Sequence, residues 1–284
     1  MFTDSPVTPC RIEILIDVLR DFSRKEWSRS DLISVLQPKG LPDVTPSSDQ
    51  ARQTLAAARE LGLLTEDKDT VRLVPVEKGI PTREFLLGVL DKKIASATDI
   101  EPYYAPFFSY FLQCDDPDSK GRDGEDWAIR FNQECALVAR VGNPFNKTKF
   151  TGLVKRWYSY SGHGWEDPSD TFQPNPYGRL KRSLPDIFGR KSRLDIDEFM
   201  ARLALHCPEL DGGSIFLSAA PQYDPKLKKL TLGLSHALVD LHSDNVIQLN
   251  CPVDSRGWSI EAAQPPIDGK LMRSSRVDHV EYVR

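Results

Sequence analysis

The apolar positions between residues 10 and 75 change period twice. In CRIEILIDVLRDF, Ile12, Leu15, Ile16, Val18, Leu19 and Phe22 recur at three- and four-residue intervals, the spacing of one helix face. SRSDLISVLQP predicts a second, shorter helix with Ser30 as its N-cap and Pro38 as its stop. After the Pro- and Ser-rich stretch KGLPDVTPSS, the segment SSDQARQTLAAARELG predicts a third helix. Ser47 or Ser48 caps it, Leu55, Ala58 and Leu61 share a face, and Gly62 suits a left-handed helix end. Leu63 and Leu64 then open a strand, TEDKDT turns, and VRLVP returns. Three helices closed by a two-stranded hairpin predict a winged helix over residues 1–80.

The helix-to-hairpin pattern recurs near the C-terminus. Leu55, Gly62, Leu63 and Leu64 align with Leu238, Asn245, Val246 and Ile247, and Asn is second to Gly at left-handed helix ends. Trp258 and Ile260 are expected on the returning strand. Between these regions, residues 81–113 read as helix followed by the aromatic run EPYYAPFFSYF. CDDPDSKGRDGED reads as a solvated acidic loop, and residues 127–141 as an apolar helix carrying Trp127, Ile129, Phe131, Leu137 and Val138. Phe150, Leu153, Val154, Trp157 and Tyr160 predict a helix that Gly162 ends. NPYGRLKRSLPDIF supplies another. LDIDEFMARLALHCPELDGG opens with a capping box, Asp195 with Glu198, and buries Ile196, Phe199, Met200 and Leu203. GGSIFLSAA reads as a strand. The expected fold is therefore mainly α with short β hairpins, an α+β arrangement of tandem winged-helix-like units. Its parts are an N-terminal winged helix (1–80), a helical connector with the acidic loop (81–144), and two winged-helix-like units (145–222 and 223–284).

Composition fits a folded protein: 40% of the 284 residues are hydrophobic and 27% are charged. The net charge of −4 restricts any nucleic-acid contact to a local patch. Cys10, Cys114, Cys135, Cys207 and Cys251 are odd in number and form no CxxC pair, which predicts buried reduced thiols rather than a disulfide framework or zinc ribbon. The N-terminal segment carries Asp4 ahead of its apolar run and no basic n-region, and no stretch reaches the roughly 20 apolar residues of a membrane span. A cytoplasmic protein with no membrane partner is expected.

Charge then divides the chain. Residues 1–80 hold 11 basic and 13 acidic residues, and the TEDKDT tip is acidic. The third helix nevertheless offers Arg52 and Gln53, which can read base edges, so this module engages either DNA or a protein partner. Residues 147–193 hold ten basic residues against four acidic ones, a net of +6. Lys155, Arg156, Arg179, Lys181, Arg182, Arg190, Lys191 and Arg193 lie among Trp157, Tyr158, Tyr160, Trp165 and Tyr177. Cations interleaved with aromatics suit a single strand or distorted duplex. The alternative is that the aromatics are core and the charges only solvate the surface, as the i, i+3 spacing of Trp157 and Tyr160 allows.

Catalytic signatures are weak. A metal-dependent nuclease needs clustered acids with a Lys. Pro185-Asp186 begins such a pattern, and Asp-x-Lys occurs at Asp91/Lys93, Asp224/Lys226 and Asp268/Lys270, which shows how cheap the pattern is in a chain with 41 acids. His236 and His242 do not share a helix face, and HGWED and DLHSDN read as local turns. There is no GK[ST] phosphate loop, GxGxxG or GxSxG. No enzyme activity, cofactor or metal is expected.

The segments FTGLVKRWYSYSGHGW, PELDGG and LTLGLSHALVDLHSDNVIQL, in this order after an N-terminal winged helix, resemble the DpdG family. The resemblance covers most of residues 10–255. It implies a setting in bacterial gene clusters that place 7-deazaguanine bases into DNA and restrict unmodified DNA, with an accessory role beside other proteins of a defence complex. It transfers no active site. The acidic first wing and the last 25 residues depart from the family pattern. The combined expectation is a non-enzymatic adaptor that engages partner proteins and, through a local basic patch, nucleic acid. A winged-helix transcription regulator is the alternative, with a metal-dependent nuclease behind it.

Overall fold

The computed structural model describes residues 7–21, 26–37, 48–75, 79–95, 104–113, 131, 133, 154–166, 168, 172–219, 223–250, 256–260 and 276–283. The described residues are mostly helical with short antiparallel hairpins, and the chain divides into two compact units. One comprises residues 1–101 and 151–157, the other residues 102–150 and 158–284.

In the first unit, α1 (Pro9–Asp21), α2 (Arg29–Leu36) and α3 (Ser48–Glu60) are followed by β2 (Leu64–Asp67) and β3 (Thr70–Leu73). The three helices and closing hairpin expected from the apolar periods are all present. Ile12, Leu15 and Ile16 of α1 are fully buried, α1 packs on α3, and Leu55 and Ala58 complete the contact. Each large aliphatic side chain so enclosed contributes about 1.5–3 kcal/mol. Gly62 has φ +73°, the left-handed turn from which Leu64 enters β2. A further short strand, β1 (Trp27–Ser28), pairs with β3 to give the order β1-β3-β2. The cap of α2 is Ser28, not Ser30: its hydroxyl accepts from Asp31 N at 3.1 Å, the geometry an N-cap requires. Helix α4 (Thr82–Ala95) packs on α1. From residues 151–157, Trp157 is fully buried and its indole donates to Val7 O at 2.8 Å.

The second unit begins with α5 (Tyr104–Leu112), all nine residues of which are buried. Phe131 is buried too, but the acidic loop and the other apolar positions named over 127–141 lie outside the described residues. Helix α6 (Lys155–Ser161) ends at Gly162, φ +72°, as its sequence predicts. Within HGWED, Gly164–Glu166 form a strand rather than a turn: this β4 pairs with β5 (Phe172–Pro174). There follow α7 (Tyr177–Phe188), β6 (Arg193–Asp195) and α8 (Ile196–His206). Ile196, Phe199, Met200 and Leu203 are buried as the periodicity requires. Asp195 caps α8 through Asp197 N, but Glu198 pairs with Lys191 and Arg202, so the reciprocal half of the capping box is not formed.

GGSIFLSAA is not a strand. Ser214–Ala219 is a short helix, α9, because Gly213 N bonds Leu210 O, Ile215 N and Phe216 N both bond Pro208 O, and Phe216 turns into the core. Helix α10 (Leu232–Ser243) ends at Asn245, φ 57°, and leads into β7 (Ile247–Asn250). The partner of β7 is not the Trp258 strand. Trp258 lies in β8 (Trp258–Ser259), which pairs with β9 (Arg276–Val277), and Ile260 lies just beyond it. The strand beside β7 is β10 (His279–Tyr282), which also pairs with β6, in the order β6-β10-β7. Val280 faces Leu194 on one side and Leu249 on the other, all three buried. Strands from residues 145–222 and 223–284 thus share one sheet, and residues from the unplaced C-terminal stretch supply its middle strand.

Candidate functional site

The basic stretch of 147–193 does not form one surface. Lys155 is buried, and Arg179 is only 2% exposed. Arg179 therefore offers no phosphate contact. Its Nε donates to Glu209 Oε1 at 2.8 Å, Nη2 donates to His206 O at 2.7 Å, and Nη1 donates to Ser183 Oγ. Arg182 is half-buried and braces backbone, donating to Ser161 O at 2.7 Å and Gly178 O at 3.0 Å. Arg156, Lys181, Arg190, Lys191 and Arg193 are exposed. Of these, Lys191 pairs with Glu198 at 2.7 Å and Arg193 with Glu281 at 3.8 Å. In the first unit, Arg52 is exposed beside Asp49 at 3.6 Å, and Gln53 is half-buried on α3. The aromatics divide in the same way: Trp157 and Tyr158 are core, Tyr160 and Tyr177 half-buried, and Trp165 is 51% exposed.

The PELDGG segment organises the buried polar centre. Glu209 accepts from Arg179, and its Oε1 faces His163 Nε2 at 3.4 Å. His163 Nδ1 pairs with Ser161 Oγ at 2.7 Å, and that hydroxyl also meets the Tyr104 hydroxyl at 2.7 Å. Burial pushes the Glu209 carboxyl up, but the Arg179 charge and the His163 hydrogen bond outweigh it and hold the group down at about 2. Two residues on, Asp211 accepts from Thr231 N at 2.6 Å and Thr231 Oγ1 at 2.8 Å, fixing the residue that caps α10. Burial raises its carboxyl to about 6 against those hydrogen bonds. Ser161, His163 and Glu209 have the composition of a nucleophile relay. All three are 1% exposed or less, so the hydroxyl meets protein rather than substrate.

A second polar cluster opens to solvent. A cleft of about 450 Å³ is lined by Gly162, Gly164, Trp165, Asn175, Tyr177 and Gly178 on one side and Asp240, Ser243 and Asp244 on the other. That volume is in the range of small-ligand sites. Asn175 Nδ2 donates to Asp240 Oδ2 at 2.7 Å, and the Tyr177 hydroxyl donates to Asp244 Oδ2 at 2.5 Å. Lys181 Nζ lies 3.1 Å from the Tyr177 oxygen and 5.3 Å from the centre of its ring. The hydrogen bond to Tyr177 raises the Lys181 pKa and keeps it charged. The glycines are steric necessities here. A Cβ on Gly162 would lie 2.7 Å from Gly178 Cα, and one on Gly164 would lie 2.4 Å from Gln173 O. None of the cleft's acids was signalled by the sequence. Asp240 and Asp244 stand four apart at the end of α10, but only the fold brings them to Trp165.

The nuclease-like pairs are dispersed. Asp91 and Lys93 lie on α4, Asp186 is exposed on α7, and Asp224 caps a single 3₁₀ turn through Lys226 N at 2.9 Å. Asp268 and Lys270 lie outside the described residues. Cys207 is buried, but Cys10 is exposed, contrary to the expectation of buried thiols, because it sits on the outer face of α1. No described helix is long and apolar enough to cross a membrane.

A family model described as DpdG-like matches residues 110–255. No curated protein and no solved structure matches the chain.

Proposed function

The chain belongs to the DpdG-like family, whose model spans just over half of it, and from that premise we propose that it is a non-enzymatic, DNA-engaging accessory subunit. Family membership associates it with 7-deazaguanine DNA modification. Within that setting the second unit holds nucleic acid, and the first unit, read as a winged helix with an acidic wing, docks a partner protein of a bacterial defence complex. A cytoplasmic setting accords with this role.

The observation that carries the reading is the outer face of α7 and the turn after it. Lys181 on α7, Arg190 and Lys191 after it and Arg193 at the start of β6 are exposed, and Tyr177, whose hydroxyl Lys181 reaches at 3.1 Å, lines the same cleft as the half-exposed Trp165. Cations follow a phosphate backbone and aromatic faces accept unstacked bases, so this combination suits single-stranded or locally opened DNA. The Ser161–His163–Glu209 relay is buried and offers no nucleophile to solvent.

The test is fluorescence anisotropy with a labelled single-stranded oligonucleotide, across a salt series, on the whole protein. Wild type is expected to lose affinity steeply with salt. The combined variant Lys181→Glu, Arg190→Glu, Lys191→Glu and Arg193→Glu is expected to bind weakly, with a salt slope flattened by roughly 0.7 per phosphate contact removed. Unchanged binding by that variant at low salt would overturn the nucleic-acid part of the reading.

A further inference from the structure

We propose that the cleft between β4–β5 and the end of α10 receives an unstacked base with a guanine-type edge. This rests on the reading of the second unit as a nucleic-acid-binding body, and it assigns the base chemistry that body selects. Three features of the cleft converge on it. Trp165 on β4 presents half of its surface to solvent while Phe172 of the paired strand β5 is buried, so an aromatic side chain is available at the cleft for stacking. One side is lined by Gly162, Gly164 and Gly178, and the space a Cβ would take at each is already filled by protein atoms, so this side of the cleft is fixed backbone without side chains. The opposite wall presents two carboxylates, Asp240 and Asp244, each held through one oxygen by Asn175 or Tyr177. A carboxylate accepts more than one hydrogen bond, so each retains capacity for a ligand donor.

The two carboxylates, which can only accept, select among the bases. Guanine carries two adjacent donors, N1–H and the N2 amino group, on its Watson–Crick edge. Adenine and cytosine each offer one amino group beside an acceptor nitrogen, which would face a carboxylate unfavourably, and thymine offers a single N–H. A phosphate would be repelled by the same wall. Lys181, on the Tyr177 side, supplies the positive charge that a nucleotide's own phosphate needs and disfavours a cationic occupant. Enzymes and readers that inspect single bases use this combination of stacking and Watson–Crick-edge contacts. Guanine and 7-deazaguanine bases share the edge in question, since they differ on the opposite side of the ring.

The experiment measures anisotropy of labelled oligothymidine carrying one central guanine, 7-deazaguanine, inosine or adenine, with all-thymidine as baseline. The guanine and 7-deazaguanine strands are expected to bind alike and about tenfold more tightly than the inosine strand, which lacks the N2 amino group, and the adenine strand. Asp240→Asn and Asp244→Asn should erase this preference, and Trp165→Ala should weaken every strand. Circular dichroism of each variant checks that it remains folded. Baseline binding without a guanine preference would overturn this inference and leave the nucleic-acid reading standing. Absence of baseline binding would remove both. Displacement of the guanine strand by an arginine-rich peptide that binds more tightly, with the same aspartates required, would reassign the cleft to a protein partner.

Discussion

Helix α7 serves two polar clusters of opposite character from residues two apart. Arg179 points into the second unit and is locked by Glu209, Ser183 and His206 O. Tyr177 and Lys181 point outward and join Asp244 at the rim of an open cleft. Both clusters contain a cation and a carboxylate, in direct hydrogen-bond contact in the inner one and joined through the Tyr177 hydroxyl in the outer one, and their energetics differ. The inner pair is removed from water and its carboxylate is drawn down to about 2, so loss of one member strands the other. In the outer cluster water can take over either partner's role, and such pairs contribute little to stability. Charge along this helix is structural on one face and exposed on the other.

The sharpest way to break the inner cluster is Glu209→Gln, which leaves the Arg179 charge buried without its counter-charge. A loss of about 3–5 kcal/mol is expected in urea denaturation. Replacing both members, Arg179→Met with Glu209→Leu, should be distinctly less damaging than Glu209→Leu alone, because no uncompensated charge remains. A smaller loss, about 1–3 kcal/mol, is expected for Gly178→Ala, whose new methyl would meet Gly162 Cα at 2.9 Å between two backbones.

Acidity separates two carboxylates of the buried centre. Glu209 titrates in the fold at about 2, below its ordinary 4.5, so its contribution is present above pH 4.5 and is lost as pH falls toward 2. Asp211 titrates at about 6, above its ordinary 3.8, so the fold is favoured below pH 4 and that advantage is lost as pH rises through 6. Thermal unfolding from pH 3 to 8 should therefore show a shoulder between pH 4 and 6 that Asp211→Asn flattens. The smallest effect belongs to the cleft. Asp244→Asn should change stability by no more than about 0.5 kcal/mol, and a larger loss would show that the outer cluster is structural after all.

The sequence carried the helices and their ends well, because periodicity and left-handed residues are local signals. Gly62, Gly162 and Asn245 each end a helix where expected, and all adopt positive φ. Pairing was less visible. GGSIFLSAA has the β-like composition of a strand, but the bonds from Ile215 and Phe216 to Pro208 O wind it into a helix. The partner of β7 lies some thirty residues further on, beyond β8 and β9, and no local pattern identifies it. The candidate site was legible in part. Trp165, Tyr177 and Lys181 were marked by the alternation of aromatics and cations. Arg179 and Lys155 carried the same marks and are buried, since charge count does not say which helix face a residue occupies. Asp240 and Asp244 sit in an ordinary apolar helix end, and only tertiary packing gives them a role.

The place of β10 between β6 and β7 has a consequence during translation. A nascent chain that has emerged only as far as residue 260 already carries both outer strands, with neither supplied with its central partner. Until residues 279–282 follow, the edges of β6 and β7 that β10 covers lack the strand that pairs them in the finished sheet, and unpaired edges are the places where a chain is open to pairing with another.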